Sequence, residues 1–256
     1  SIYILYLVYC DQTTSNQNAL VDLLREKEFM LLVDEDGFHY FKPNKFFFRH
    51  GISKELYDGV DGVKFVCDVL DKKAQEEQSF YSFLRSIGIH DSIMILKVNN
   101  GLSDEERNLY LDGAEWSSWE DASYDISKID EILDNITEKK SKALWSAVNN
   151  VNNSFYTGTF SWSYYGKRKN KSHPSRFITK LQEAKWLFND EGEAVSPSEI
   201  YEDDVRSLYG GGPILNHLGF KPNTVKLLPA EDQRRLELAK KIPIEALEQF
   251  LEQYNQ

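Results

Sequence analysis

Residues 177–197 read FITKLQEAKWLFNDEGEAVSP, and a degraded copy of the same order occupies 20–43, LVDLLREKEFMLLVDEDGFHYFKP. In the later copy Phe177-Ile178 and Leu181 supply a helical stripe, and Trp186-Leu187-Phe188 supply a short apolar strand. Asp190-Glu191 and Gly192 follow as a turn, and Pro197 begins the next element. The earlier copy runs Leu20-Val21, Leu24, Phe29-Met30-Leu31, Asp34-Glu35, Gly37 and Pro43, with Met30 where the later copy has its Trp-Leu pair. Both continue to a Gly-ended apolar element, Phe83-Leu84 with Ile87-Gly88-Ile89 and Ile214-Leu215 with Leu218-Gly219-Phe220. The predicted unit is helix, strand, acidic-Gly turn, strand, Pro-started helix, variable insert and Gly-capped helix. Such repeats bury a face of each unit against a neighbour. The fold class that follows is α+β, built as two weakly repeated modules of short strands or hairpins packed with helices.

Working outward, Ile2 to Val8 is rich in β-branched and aromatic residues and reads as a buried strand. Its abrupt start suits a piece of a longer chain. Leu20, Val21, Leu23 and Leu24 form a helical stripe capped by Ser15 or Asn16. Asp36-Gly37 is a hairpin turn signal between strands at Phe29–Val33 and Phe38–Phe41, and Pro43 suits a first helical turn. Ala74 to Ile87 reads as one helix ended by Gly88, and Ser92 to Val98 as a strand. Residues 101–123 are polar and acidic, with Asp104, Glu105, Glu106, Asp112, Glu115, Glu120 and Asp121. They are expected to be a seam between a first module, 1–100, and a second, 124–256. That second module holds helices on the Ile126/Ile129/Ile132/Leu133/Ile136 and Leu144/Trp145/Val148/Val151 stripes. An aromatic strand or hairpin at Phe155–Tyr165 comes next, and helices near Gln233–Lys240 and Ile244–Tyr254 close the chain.

Composition bounds the function. The 256 residues are 41% hydrophobic and include 15 Phe and 14 Tyr, enough for a packed core and too aromatic for disorder. No apolar run approaches the roughly 20 residues of a membrane helix, so no membrane partner is expected. Two cysteines, Cys10 and Cys67, are too few for a disulfide scaffold or thiolate zinc site and suit a reducing cytoplasm. A net charge of -11 disfavours general nucleic-acid binding.

Local chemistry is sparse. Asp34, Glu35 and Asp36 fail calcium-loop spacing, because Phe38, His39 and Tyr40 follow Gly37. Gly210-Gly211-Gly212-Pro213 lacks the Lys-Ser/Thr of a phosphate loop and reads as a linker. The histidines at 39, 50, 90, 173 and 217 form no i, i+4 pair, and Glu183-Ala184-Lys185 is an isolated nuclease-like fragment. No catalytic residue, metal site or cofactor is expected.

One stretch runs against the acidic balance. Trp162, Tyr164 and Tyr165 precede Lys167, Arg168, Lys169, Lys171, His173 and Arg176. Cations can meet phosphates and exposed rings can stack on bases, so this is the candidate nucleic-acid or partner site. The plainer reading, which the residues favour, is a solvated basic loop joining a strand to a helix at Pro174, with the aromatics in the core.

The second half also carries a resemblance. Lys142-Ala143-Leu144-Trp145, Phe160-Ser161-Trp162-Ser163-Tyr164-Tyr165, Ser175 to Trp186-Leu187, Glu191-Gly192, Ser196-Pro197-Ser198-Glu199-Ile200 and Leu218-Gly219-Phe220 carry it. Residues 136–220 resemble the region downstream of the ATPase domain in large sacsin-like proteins, which bear a gyrase/histidine-kinase-type ATPase. The resemblance implies a noncatalytic scaffold or protein-interaction region with a chaperone-like role or one in bacterial defence. Its partner would be the ATPase domain of the same parent protein or another protein. Nucleic acid bound through 162–176 is the alternative.

Overall fold

The structure is a computed structural model that describes residues 2–34, 37–99, 101–111, 118–164 and 167–222. Small sheets pack among helices, an α+β fold. The chain divides into two compact units, residues 1–180 and 181–256.

The first unit opens with α1, Ile2–Cys10, where a strand was expected. An unbroken apolar run is ambiguous between buried strand and buried helix, and tertiary contacts decide it. Helical spacing brings Tyr3 and Tyr6 to one side, where both rings meet Phe80 at 5.2 and 5.1 Å. The Tyr6 hydroxyl, buried and hydrogen-bonded first to Glu77, is pushed well above the usual phenol range. Helix α2, Thr14–Glu26, leads into the hairpin β1, Met30–Asp34, and β2, Gly37–Phe41, with Asp34 opposite Gly37. Asp36 of the expected turn lies outside the described residues. Pro43 then starts a 3-10 turn, Pro43–Lys45, rather than an α-helix.

Strand β3, Phe46–Phe47, is followed by α3, Gly51–Tyr57, and β4, Lys64–Phe65, which pairs parallel with β3. The single helix expected over 74–87 is two, α4, Asp68–Glu76, and α5, Gln78–Ser86. The break is Glu77, whose backbone is extended and whose carboxylate accepts from Tyr3 and Tyr6. These elements close around Val21, Leu24, Met30, Phe46, Phe80 and Phe83.

The acidic segment does not separate two halves. It forms α6, Asp104–Leu111, and the first half of β6, Ser118–Ile126, while Asp112 and Glu115 lie outside the described residues. β6 is an interior strand of an antiparallel sheet ordered β5-β6-β7-β8, with β5 Ile95–Asn99, β7 Thr157–Tyr164 and β8 Lys167–Pro174. Between β6 and β7 come α7, Ile129–Asp134, and α8, Glu138–Asn149. α8 ties back to α3 through the Lys139–Glu55 ion pair and a Lys140 bond to the Asp58 carbonyl. Residues on both sides of the expected seam therefore share one compact unit.

Helix α9, Arg176–Glu183, carries the chain across the division between units. In the second unit β9, Leu187–Phe188, and β10, Ala194–Val195, form a short hairpin. Its turn is held by the Asn189 side-chain oxygen, which accepts from the backbone of Glu191 and Glu193, and by Gly192 at φ 77°. Trp186 is fully buried and donates its indole N–H to the Leu181 carbonyl at 2.8 Å. Pro197 starts a 3-10 turn, Pro197–Glu199, in which Ser196 donates its N–H and hydroxyl to the Glu199 carboxylate. Helices α10, Glu202–Tyr209, and α11, Leu215–Leu218, follow. The helices expected at 233–240 and 244–254 lie outside the described residues.

The two copies agree beyond their sequence match. Phe47 forms a parallel bridge with His90, and Tyr201 forms one with Lys221. Each pair lies four residues past the proline and two past the glycine. His90 N–H donates to Phe46 O at 3.0 Å, and Lys221 N–H donates to Ile200 O at the same distance.

Candidate anion-binding face

The basic stretch expected as a loop is the edge strand β8, paired residue for residue with β7 from Thr157–Pro174 to Tyr164–Lys167. Backbone pairing satisfies its inner side, and the helix at its end starts at Arg176, after Pro174 has closed the strand. Because side chains alternate between faces, register sorts the candidates. Two rows run across β6, β7 and β8 on one face, Trp119, Trp162 and Lys169, then Asp121, Phe160 and Lys171, and the pair Gly158 and His173 continues that face on β7 and β8. Lys167 belongs to the same face. Arg168 belongs to the other, where it reaches Glu120 at 3.8 Å beside an open depression of about 290 Å³.

The aromatic centre is Phe160, which is fully buried with Leu102 and Leu111. Trp162 stacks on it at 5.4 Å, and Trp119 and Tyr110 lie 6.0 and 6.1 Å away. Cations sit against this cluster: the Arg107 guanidinium is 4.8 Å from the Trp119 ring, and Lys171 Nζ is 5.4 Å from Tyr110. Such contacts contribute roughly 0.5–1 kcal/mol at exposed sites. Lys167, Arg168, Lys169 and Lys171 are all exposed, Trp119 is 36% exposed, and Trp162 is half-buried.

Underneath, His173 anchors the edge. Its Nε2 lies 3.1 Å from Asp121 Oδ1, its Nδ1 lies 2.7 Å from the Pro174 carbonyl, and the other Asp121 oxygen accepts from Leu102 N–H. The imidazole lies across β7 at Gly158, where an added Cβ would fall 2.4 Å from His173 Cε1. With both side chains at 1% exposure or less, this pair is a structural tie. His173 is thus withdrawn from the set of surface cations. At the start of α6, the Ser103 N–H donates to Glu106 and holds that carboxyl below its usual range.

The remaining candidates are placed as follows. Arg176 pairs with Asp125 at 3.4 Å, which Lys180 also contacts, so it serves the α9–β6 junction. Tyr164 ends β7, but its side chain and all of Tyr165 lie outside the described residues. Arg107, Tyr110 and Trp119 are additions to the site that sequence reading missed, because they lie in the stretch taken as a seam. The available signal was Ala122, Tyr124 and Ile126 alternating with Asp121, Ser123 and Asp125, which marks the strand carrying Trp119 but points to neither Arg107 nor Tyr110.

Elsewhere among the described residues, no three His, Cys, Asp or Glu side chains are grouped to hold a metal ion. No described helix is long and apolar enough to cross a membrane. Compared with protein-family models, curated proteins and solved structures, the chain matches none.

Proposed function

We propose that this chain is a noncatalytic interaction region, part of a larger sacsin-like ATPase protein, and that the β6–β8 face is where it takes an anionic partner. The observation that carries the reading is local. In a chain of net charge -11, one eight-residue edge strand turns four cations outward beside a partly exposed tryptophan. Lysines on an edge strand also discourage edge-to-edge pairing. The indoles pack on the buried Phe160 cluster, and it is the part of Trp119 and Trp162 left exposed in the same row as Lys169 that favours binding. The resemblance of 136–220 to sacsin-like proteins supplies the setting: an acidic surface on the ATPase domain of the same parent, or on another protein. A cytoplasmic encounter suits the free thiols of Cys10 and Cys67.

The test is fluorescence anisotropy of labelled poly-glutamate and labelled oligonucleotides against the full chain and against a variant with Lys167, Arg168 and Lys169 all changed to Glu. Binding of either polyanion that weakens with salt and vanishes in the variant is the expected result. Absence of binding to both at low salt would sink the proposal.

A further inference from the structure

We infer that the anion taken by this face is single-stranded nucleic acid, its backbone following β8 and its bases stacking at the Trp119–Trp162 row. The inference rests on the reading of β6–β8 as an anion-binding face and narrows it to one partner class.

Three features of the face distinguish that partner from others. The first is the order within a row. Trp119, Trp162 and Lys169 stand directly opposite one another on adjacent strands, about 4.7–4.9 Å apart in the pairing direction. Rings and cation therefore lie within the reach of one nucleotide, base to phosphate. An acidic peptide could pair its carboxylates with Lys169 and Lys171, but it would bring no π-face to the indoles. Bases stacked on aromatic side chains gain about 1–3 kcal/mol each, regardless of sequence.

The second feature is the spacing along the edge. Lys167, Lys169 and Lys171 share a face and recur every second residue, about 6.6–6.8 Å apart. That repeat is comparable to the phosphate spacing of an extended single strand. Arg168, on the other face and engaged with Glu120, stands outside the track. The third is what the face lacks. In a duplex the bases are stacked inward and out of reach of Trp119, so a duplex would use the lysines alone. The acidic balance of the rest of the chain opposes the wide footprint that such phosphate-only binding requires. Arg107 lies 4.8 Å from the Trp119 ring and Lys171 5.4 Å from the Tyr110 ring, so a base stacking on Trp119 has to displace or share the Arg107 contact.

The experiment titrates the full chain with labelled 12-nucleotide oligo-dT and oligo-rU, a 12-base-pair duplex and poly-glutamate, at 50 and 200 mM salt. The single strands should bind, weakening about 20-fold between the two salts if three lysines each contribute a slope of about -0.7. Trp119→Ala should weaken them about tenfold or more, with the far-ultraviolet circular dichroism of the native chain retained. Lys169→Gln and Lys171→Gln, both at exposed positions, should each flatten the salt slope by about 0.7, while Arg168→Gln leaves it unchanged.

Poly-glutamate binding as tightly as the single strands, with no response to Trp119→Ala, would overturn the inference while the anionic-partner reading stood. Equal or tighter binding of the duplex would overturn it too, as would an Arg168→Gln loss matching that of Lys169→Gln. No binding of any polyanion at 50 mM would remove both readings together.

Discussion

In the first copy of the repeated unit Phe47 bridges His90, and in the second Tyr201 bridges Lys221, each pair in the same register to a proline and a glycine. Even the pairing across the bridge is alike in kind: the Phe47 and His90 rings lie 5.3 Å apart, and Lys221 Nζ lies 4.8 Å from the Tyr201 ring. Between those points the copies diverge. The first inserts α3, β4 and α4 and fills its centre with tyrosine and phenylalanine rings. Its hairpin has five-residue strands with Leu31, Val33, Phe38 and Tyr40 exposed. The second has two-residue strands, a turn tied by Asn189, and one buried tryptophan. The comparison teaches that the shared part is backbone geometry, which only certain residues permit, while the filling between can change. A proline presets the turn, and a glycine admits the positive φ that lets the chain return to form the bridge.

Replacement of the buried centres should break the comparison most. Trp186→Ala removes a fully buried indole and strands the Leu181 carbonyl, so a loss of about 3–5 kcal/mol is expected in urea unfolding followed by circular dichroism. Met30→Ala, in the first copy one position past Phe29, the counterpart of Trp186, should cost less, about 2–3 kcal/mol, because many rings share that core. A loss at Met30 equal to that at Trp186 would mean that the ring-filled core of the first copy is no more tolerant of a truncated side chain than that of the second.

The glycines sharpen the shared part. Gly219 sits at φ 68° with open space where a Cβ would go, so Gly219→Ala should cost about 1 kcal/mol. Gly88 sits at φ 110° with Asn44 Cβ 3.4 Å from that position, and Gly88→Ala should cost more, about 2 kcal/mol. Equal costs in thermal unfolding would mean that the two glycines meet the same demand and that the close Asn44 contact at Gly88 adds nothing.

A smaller difference concerns pH. Burial pushes the His90 imidazole below its usual value, against a raising contribution from the hydrogen bond to Asn44 O. The unfolded chain takes up a proton near pH 6.5 that the folded chain resists, so stability present at neutral pH declines as pH falls below about 6.5. Urea midpoints of His90→Gln should vary less with pH from 7 to 5 than those of the native chain. An unchanged profile would place the acid sensitivity elsewhere. The smallest effect is expected at the hairpin surface, where Phe38 is 73% exposed. Phe38→Ser should shift stability by less than about 0.5 kcal/mol. A larger loss would mean that the outer face of the first hairpin is packed in solution.

Much of the fold is legible in the order of the amino acids. The repeat can be read because glycine, proline and apolar spacing are local requirements, and the hairpin at β1–β2 and the helix at α2 follow from it. Three elements cannot. Ile2–Val8 is apolar at every position, so periodicity does not separate helix from strand; Tyr6 meeting Glu77 and Phe80 settles it. Glu77 breaks a continuous helical pattern because its carboxylate is claimed by tyrosines more than 70 residues away in the chain. Lys167 to Lys171 has no apolar alternation, and its strand state comes from pairing with β7.

At the candidate face, sequence alone determined that cations and aromatics are neighbours along the chain, that the balance elsewhere is acidic, and that no local metal or nucleophile pattern stands out. Only the tertiary structure decided which of them share a surface. Strand register sent Lys169 and Lys171 to one side and Arg168 to the other, buried His173 against Asp121, and brought Trp119 beside Trp162 from more than 40 residues away. The physical reason is that a β-strand's side chains alternate with a period of two, while the strand lying beside it is chosen by contacts distant in sequence.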